Sequence, residues 1–587
     1  MRRDITLLTL ILASILALPF WLALSTKVTI VQGPIKLWEF IHPTYYIGLS
    51  TALVALLTLI LRRKNNSHHK AIVHPLLVAL VIAMYMQLPS LALFQYPFSD
   101  HSFHVTPIYW ILRNHNIYWP NHLGHPETAS PQLTMAILMM ITNENSVFTL
   151  HRICLLLLSA LAITYMYMLS QSIGLTKAYS AATAVLALAL TYLLYYFLRQ
   201  TYTIPIYVLT AYLIVKSIKN RKYLVPLIVL IAAFISMDPA FVLVTILALV
   251  AYPMMQVLHS ILLKLRGVTE NIEIRSTSLV AIISILLFGL YMLWIFSRYP
   301  YQPRDLYHIA QHARDTVMRA LHEPSTLTPK TPYYWGKPTA LGYNQYYGIL
   351  YRIKVFTRAT CMILGAIAMP LILAGMGRRS RDHVKYLLIS SYFIVTVIII
   401  VAKAYGAAFA PWSSILSSLG ATSLLIIERP KRIHSYVAKI LLTSFMSLII
   451  LTIVAMPHIL TAGGRTRLVE RDIQFLSWYA HLEGDNIERC VVSGFGRWLS
   501  EFSYIKFSVY PTFLNYLFYE GVSDRSLQNL LNRPCIALTE TSLQHFEKTM
   551  YVAKAFPWFL KLSIVLTERY NLIYTSGLPF TSLWAYH

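Results

Sequence analysis

The chain predicts an α-helical polytopic membrane protein with a small α/β domain outside the membrane. Three observations predict it. Apolar runs of spanning length recur from Ile5 to His458. The composition is 57% hydrophobic and only 12% charged, against roughly 25% charged residues in ordinary soluble domains. Beyond His458, residues 465–587 return to soluble proportions of Arg, Asp and Glu.

The apolar runs divide into about thirteen helices, each near the ~20 residues that a bilayer core demands. They fall at 5–26, 44–61, 72–94, 147–170, 178–197, 203–218, 223–237, 239–260, 277–296, 354–376, 386–402, 405–427 and 436–458. The first, MRRDITLLTLILASILALPFWLAL, has the basic start and apolar run of a secretory signal. It lacks a small-residue cleavage site before Lys27, so it reads as a first transmembrane helix that also targets the chain. Residues 1–458 are the transmembrane domain and 459–587 the outer domain.

Charge placement orients the helices. A formal net charge of +25 would point to nucleic acid in a soluble domain. Here the basic residues sit in short loops between apolar runs, so no nucleic-acid partner is expected. With the N-terminus cytoplasmic, RRKNNSHHK (62–70), QSIGLTK (171–177), KSIKNRK (216–222), LKLRGVTENIEIR (263–275), GRRSRDHVK (377–385) and ERPKRIHS (428–435) all fall inside. Nearly all are basic, as cytoplasmic loops are. The same parity puts outside the loops 95–146 and 298–353, the Arg199–Tyr202 turn, Asp238, the Lys403–Tyr405 turn and everything after His458. The expected location is the cell membrane, multi-pass, with the C-terminal domain extracytoplasmic.

In that domain, Val469–Tyr479, 525–532 and 541–555 read as helices. ERCVVSG, IKFSVY, CIALT and NLIYTS read as short strands, and the closing YTSGLPFTSLWAYH as a hairpin or edge strand. Two of the four cysteines, Cys490 and Cys535, stand in those strand-like runs. They are either a disulfide, as an oxidising compartment permits, or two separate buried thiols. Cys154 and Cys361 lie in apolar segments, and no spacing suggests zinc. In the loop 298–353, Tyr307–Leu321 has helical spacing and fits an amphipathic helix on the membrane surface. His308 and His312 within it are either a metal pair or part of a solvated face.

The first long polar interruption, FSDHSFHVTPIYWILRNHNIYWPNHLGHPETASPQL (98–133), carries the most chemistry. Asp100 precedes a helical run from Phe103 to Arg113. It is therefore either a helix cap or, with His104 one turn on and His101 beside it, a base, metal ligand or phosphate group. Trp119, Gly124, Pro126 and Pro131 give the tail a rigid path, with flat aromatic faces for a sugar or lipid.

The order Asp-x3-His, ILRNHNIYWP, GHP and PQL resembles the first outer loop of the GT-C superfamily of membrane glycosyltransferases. The likeness is nearest to the archaeal and bacterial proteins called 6-pyruvoyl-tetrahydropterin synthase-related and to the YfhO-like proteins. Asp100, His104, Leu112, Trp119, Gly124, Pro126, Pro131 and Leu133 stand at matching positions. Asn114 departs from the family's glycine region, and Tyr118-Trp119-Pro120 from its Pro-x-Trp order. The resemblance implies a sugar donor carried on a polyprenyl phosphate and inverting transfer to a glycan, lipid or protein acceptor outside the cell. It also implies a loop Asp acting as base or ligand to a divalent metal, Mg²⁺ or Mn²⁺.

Asp238, in FISMDPAF, is the second acidic candidate, for catalysis or metal binding with Asp100. Its alternative is capping, with Pro239 in the first turn of the next helix. The related proteins often carry His-Pro there. For the phosphate, Lys403, Arg199, Arg298 and Arg304 are candidates, each with a snorkelling alternative. Trp119 and His101 complete the substrate-binding set. The competing reading is a non-enzymatic membrane protein: a lipid or glycan transporter, an envelope-assembly scaffold, or a degenerate GT-C homologue. A transporter needs polar or broken helices at mid-membrane, whereas here the polar groups gather on one face.

Overall fold

The structure is a computed structural model. It describes residues 29–30, 42–61, 74–94, 100–117, 129–144, 147–172, 174–191, 199–265, 267, 274–298, 353, 356–369, 383–404, 415–420, 447, 450–451, 490–492, 508–509, 535–538, 570–575 and 582–586. The expected helix 5–26, all but residues 447 and 450–451 of the expected helix 436–458, nearly all of the loop 298–353, and the helices of the C-terminal domain lie outside the described residues.

The described helices follow the apolar runs: α1 (Thr44–Leu61), α2 (Pro75–Ala92), α3 (Asp100–Asn114), α4 (Ala129–Thr142), α5 (Val147–Ser172), α6 (Lys177–Thr191) and α7 (Arg199–Lys219). Next come α8 (Leu224–Met237), α9 (Pro239–Leu265), α10 (Ile274–Arg298), α11 (Phe356–Met369) and α12 (His383–Ala404), with a further helical piece at 415–420. Helices satisfy their own backbone groups, which apolar surroundings require. Hydroxyls do the same: Thr51, Thr164, Thr183 and Thr210 each donate to the carbonyl one turn back. Prolines at 89, 107, 205 and 253 sit inside helices, as membrane helices tolerate.

The bundle centres on α5, which packs against α2, α6 and α7; α1 lies on α2, α8 on α7, and α9 between α10 and α12. Small residues let the helices approach: Ala181, Ala182, Ala184, Ala187 and Ala189 of α6 are all buried. Among the described residues the largest fully buried side chains are Tyr45, Tyr85, Phe234, Phe241 and Tyr252. Outward, large apolar residues are left bare, including Ile153 and Leu157 on α5, Val225 and Val229 on α8, and Ile285 and Leu293 on α10. Bare apolar faces of this kind mark surfaces for a partner or a membrane. By length and composition, Leu150–Ser172 and Phe241–Leu258 are each able to cross a membrane.

Three contacts tie together segments that the loop charges assign to one side. Thr29–Ile30 (β1) pairs in parallel with Leu93–Phe94 (β2). His151 near the start of α5 bonds Tyr202 at the start of α7. Arg358 of α11 donates to the carbonyl of Leu190, at the end of α6.

Several boundaries differ from the sequence reading. The loop 95–146 contains two helices, α3 and α4, because its apolar stretches are too short to span yet long enough to pack on each other. Arg199–Tyr202 is the first turn of α7, and Lys403 lies in the last turn of α12. The four C-terminal strand runs are strands: Cys490–Val492 (β3), Ser508–Val509 (β4), Cys535–Leu538 (β5) and Tyr570–Thr575 (β6). Ser582–Tyr586 (β7) makes the expected hairpin with β6, but it is no edge. The sheet order is β4-β3-β5-β7-β6, with β7 inserted antiparallel between β5 and β6. β3 runs parallel to both β4 and β5.

Candidate active site at the α3–α4 end of the bundle

α3 starts at Asp100, three residues before the helical run that the sequence suggested. Asp100 and His104 therefore stand one helical turn apart on one face of one helix. Asp100 thus occupies the first turn of the helix, the positive end of its dipole. His104 is buried at 5% exposure.

α3 is held by an apolar cluster built from four helices. Val105, Ile108 and Ile111 of α3 meet Met135, Ala136 and Met139 of α4, Val147 and Leu150 of α5, and Tyr202 of α7. The spacing 105, 108, 111 and 135, 136, 139 gives one apolar stripe on each helix. α4 also touches α8, whose C-terminal end carries Asp238.

Polar groups are buried within this apolar frame. His151 Nδ1 and the Tyr202 hydroxyl lie 2.8 Å apart, and both residues are buried. Removing the hydroxyl leaves a buried ring nitrogen without that bond, which costs about 1–3 kcal/mol. Tyr202→Phe is thus expected to lower the melting temperature of the purified protein, a shift read directly by a thermal unfolding assay. Gln132, in the first turn of α4, is completely buried, and neither its amide nitrogen nor its oxygen has a hydrogen-bond partner among the described residues. The same holds for Trp110 Nε1 of α3 and Thr201 Oγ1 of α7. Such groups are rare in folded proteins, and each asks for an explanation.

Asp238 links α8 and α9 in extended backbone (φ −154°, ψ 97°) and is 1% exposed. Its N–H donates to the Phe234 carbonyl, and its own carbonyl accepts from the N–H groups of Phe241 and Val242. It therefore has the capping backbone that an Asp-Pro step favours, with its carboxyl group buried. Arg199 opens α7 and Arg298 closes α10. Trp119 and Arg304 lie outside the described residues. Among the described residues no three His, Cys, Asp or Glu side chains gather as a metal site.

Sequence reasoning passed over Gln132, the His151–Tyr202 pair, Arg152 and Arg358. Gln132 stands inside the PQL that was noted for its proline and leucine. His151, Arg152 and Arg358 lie within apolar runs, where an ionisable residue is a functional signal by default. Arg358 Nη2 is 3.0 Å from the Leu190 carbonyl, and Ser417 Oγ donates to the Arg358 carbonyl over 3.2 Å.

Beneath this end lies an apolar cavity of about 90 Å³ between α5, α6, α7, α12 and residues 415–420. Its lining on α7 starts at Ile204, two residues past Tyr202, and continues through Tyr207, Val208 and Ala211 to Val215. At 1.5 Å per residue that is roughly 16 Å along the helix.

No family model and no curated protein matches the chain. Among solved structures it is similar to ArnT from Cupriavidus metallidurans. The match to ArnT bound to undecaprenyl phosphate has a TM-score of 0.51 at 10% identity, covering 87% of this chain and 97% of that one. The apo form of the same protein gives 0.50 with equal identity and coverage. At this identity the likeness is one of fold. That shared fold suits the bare apolar faces of α5, α8 and α10.

Proposed function

We propose that this chain is a membrane glycosyltransferase that moves a sugar from a polyprenyl-phosphate donor to a glycan, lipid or protein acceptor outside the cell. The observation that carries the reading is the join of two features in a chain with the ArnT fold. One is a buried polar end with Asp100 at a helix start; the other is an apolar cavity running away from it. A polyprenyl-phosphate sugar has the same division, with an isoprenoid tail in the lipid and a reactive carbon at the surface.

In this reading Asp100 takes the proton of the acceptor hydroxyl. The acceptor oxygen attacks the anomeric carbon, the bond from that carbon to the phosphate oxygen breaks, and the polyprenyl phosphate leaves with inversion. Arg199, Arg298, Arg304 and Lys403, with Arg358 added from the structure, are the cations proposed to meet the leaving phosphate, a role suited to charge-assisted hydrogen bonds. His101 and Trp119 contact the sugar. Gln132, Trp110 and Thr201 offer it donors and acceptors. Alternatively to its role as base, Asp100 would hold a divalent ion with Asp238, and the ion would neutralise the phosphate. Asp100 and His104 would then act with Asp238 as the catalytic group. Topology follows the loop charges, with the N-terminus cytoplasmic and the sheet of β3–β7 part of an outer α/β domain. The loop motif further supports a place near the 6-pyruvoyl-tetrahydropterin synthase-related and YfhO-like proteins.

Undecaprenyl phosphate is the probe that tests it. It is expected to raise the melting temperature of the protein in nanodiscs, and a short-chain farnesyl phosphate to do so far less. Ala211→Trp, which fills the cavity wall, should weaken undecaprenyl phosphate binding by about tenfold, the equivalent of ~1.4 kcal/mol. Equal responses to the two lipids, or unchanged affinity in a folded Ala211→Trp protein, would overturn the assignment of the cavity.

A further inference from the structure

We propose that Cys490 and Cys535 form a disulfide that staples β3 to β5 in the C-terminal sheet. The two cysteines open their strands and are direct register partners in a parallel pair, followed by Val491↔Ile536 and Val492↔Ala537. Register partners in neighbouring strands stand on the same face of the sheet. Neighbouring strands lie about 4.7–4.9 Å apart, inside the ~4.4–6.8 Å Cα separation that disulfides span. The chain has four cysteines. The other two, Cys154 and Cys361, are free thiols within helices.

The bridge rests on the outer placement of this sheet, because disulfides persist in oxidising compartments. Its formation converts two thiols to one S–S bond and releases two protons and two electrons. The electrons pass to the disulfide of an extracytoplasmic thiol oxidoreductase, which is reduced to the dithiol. The bridge closes the segment 491–534, with β4 inside it, into a loop. It fixes the register of the parallel strands, whose pairing is non-local and is not set by any tight turn.

The test counts thiols on the full-length chain in native membranes. Acid-trapped protein is denatured and reacted with a 5-kDa polyethylene glycol maleimide, with and without prior reduction. The expected result is two additions before reduction, at Cys154 and Cys361, and four after it. Cys490→Ser and Cys535→Ser should each show three additions under both conditions. Four additions to the wild type before reduction overturn the disulfide. A C-terminal alkaline phosphatase fusion, active only outside the cytoplasm, then separates the causes. An active fusion confines the error to the bridge, and an inactive one removes the outer placement as well.

Discussion

Asp100→Asn is expected to abolish sugar transfer while leaving membrane insertion and yield unchanged. The substitution keeps size and hydrogen-bonding shape and removes only the ability to take a proton or hold a full charge. A positioned general base contributes about 10²–10⁴-fold, so transfer in a lipid-linked sugar assay should fall by that factor. The structural alternative predicts something much smaller. As the first residue of α3, Asp100 also interacts with the helix dipole, a contribution of about 0.3–1 kcal/mol. An amide there costs a small shift in melting temperature and no activity. The two readings therefore differ by orders of magnitude in rate and agree on stability. Full activity in the Asn variant would sink Asp100 as the base and return the chain to the transporter or scaffold reading.

The start of α3 shows how far the sequence carries and where it stops. Asp-x3-His could be read from the letters, but whether the helix began early enough to align the pair could not. Helix boundaries are the least certain part of a sequence reading, and the packing of Val105 and Ile108 with α4 and α5 is a tertiary effect outside local propensity. Loop charges are readable from letters alone because charge is costly to hide in lipid, and the β1–β2, His151–Tyr202 and Arg358–Leu190 contacts tie ends that those charges assign to one side. The rotation of each helix was not legible. A helix that is apolar on every side has no periodic stripe to mark its inner face. That is why Gln132 and His151, which depend on what they face, went unnoticed. In the C-terminal sheet the strand runs were readable one by one, whereas the insertion of β7 between β5 and β6 is non-local and left no signal.

The second large effect is expected at Gly420. Here residues 415–420 cross α11 with backbone against backbone, a close approach that small residues permit between membrane helices. A Cβ on Gly420 would collide with the carbonyl oxygen of Cys361 and come within 3.0 Å of its carbon. A Cβ on Gly365 would lie 2.5 Å from the Gly420 Cα and 2.8 Å from Cε2 of Tyr392. The obstacles at Gly420 are main-chain atoms, so no rotamer change relieves them and the helices must separate. Overpacking of this kind costs about 1–3 kcal/mol and at times more; an obstacle made of backbone favours the upper end. Separation would also disturb the crossing's polar ties: the Tyr392 hydroxyl donates to the Met362 carbonyl, and Ser417 to that of Arg358. Ile415, Ser418 and Leu419 line the cavity, so loss of stability should come with loss of lipid affinity. Gly289→Ala in α10 is the matched control, since among the described residues nothing lies within 4 Å of its added carbon. Alanine is favoured over glycine in a helix by about 0.8–1.0 kcal/mol, so that variant should melt at the wild-type temperature or above. Gly420→Ala should melt well below it and bind undecaprenyl phosphate more weakly, and Gly420→Val should not accumulate as folded protein. Equal melting of the two alanine variants would mean that the helices do not cross at Gly420, and the cavity wall would have to be redrawn.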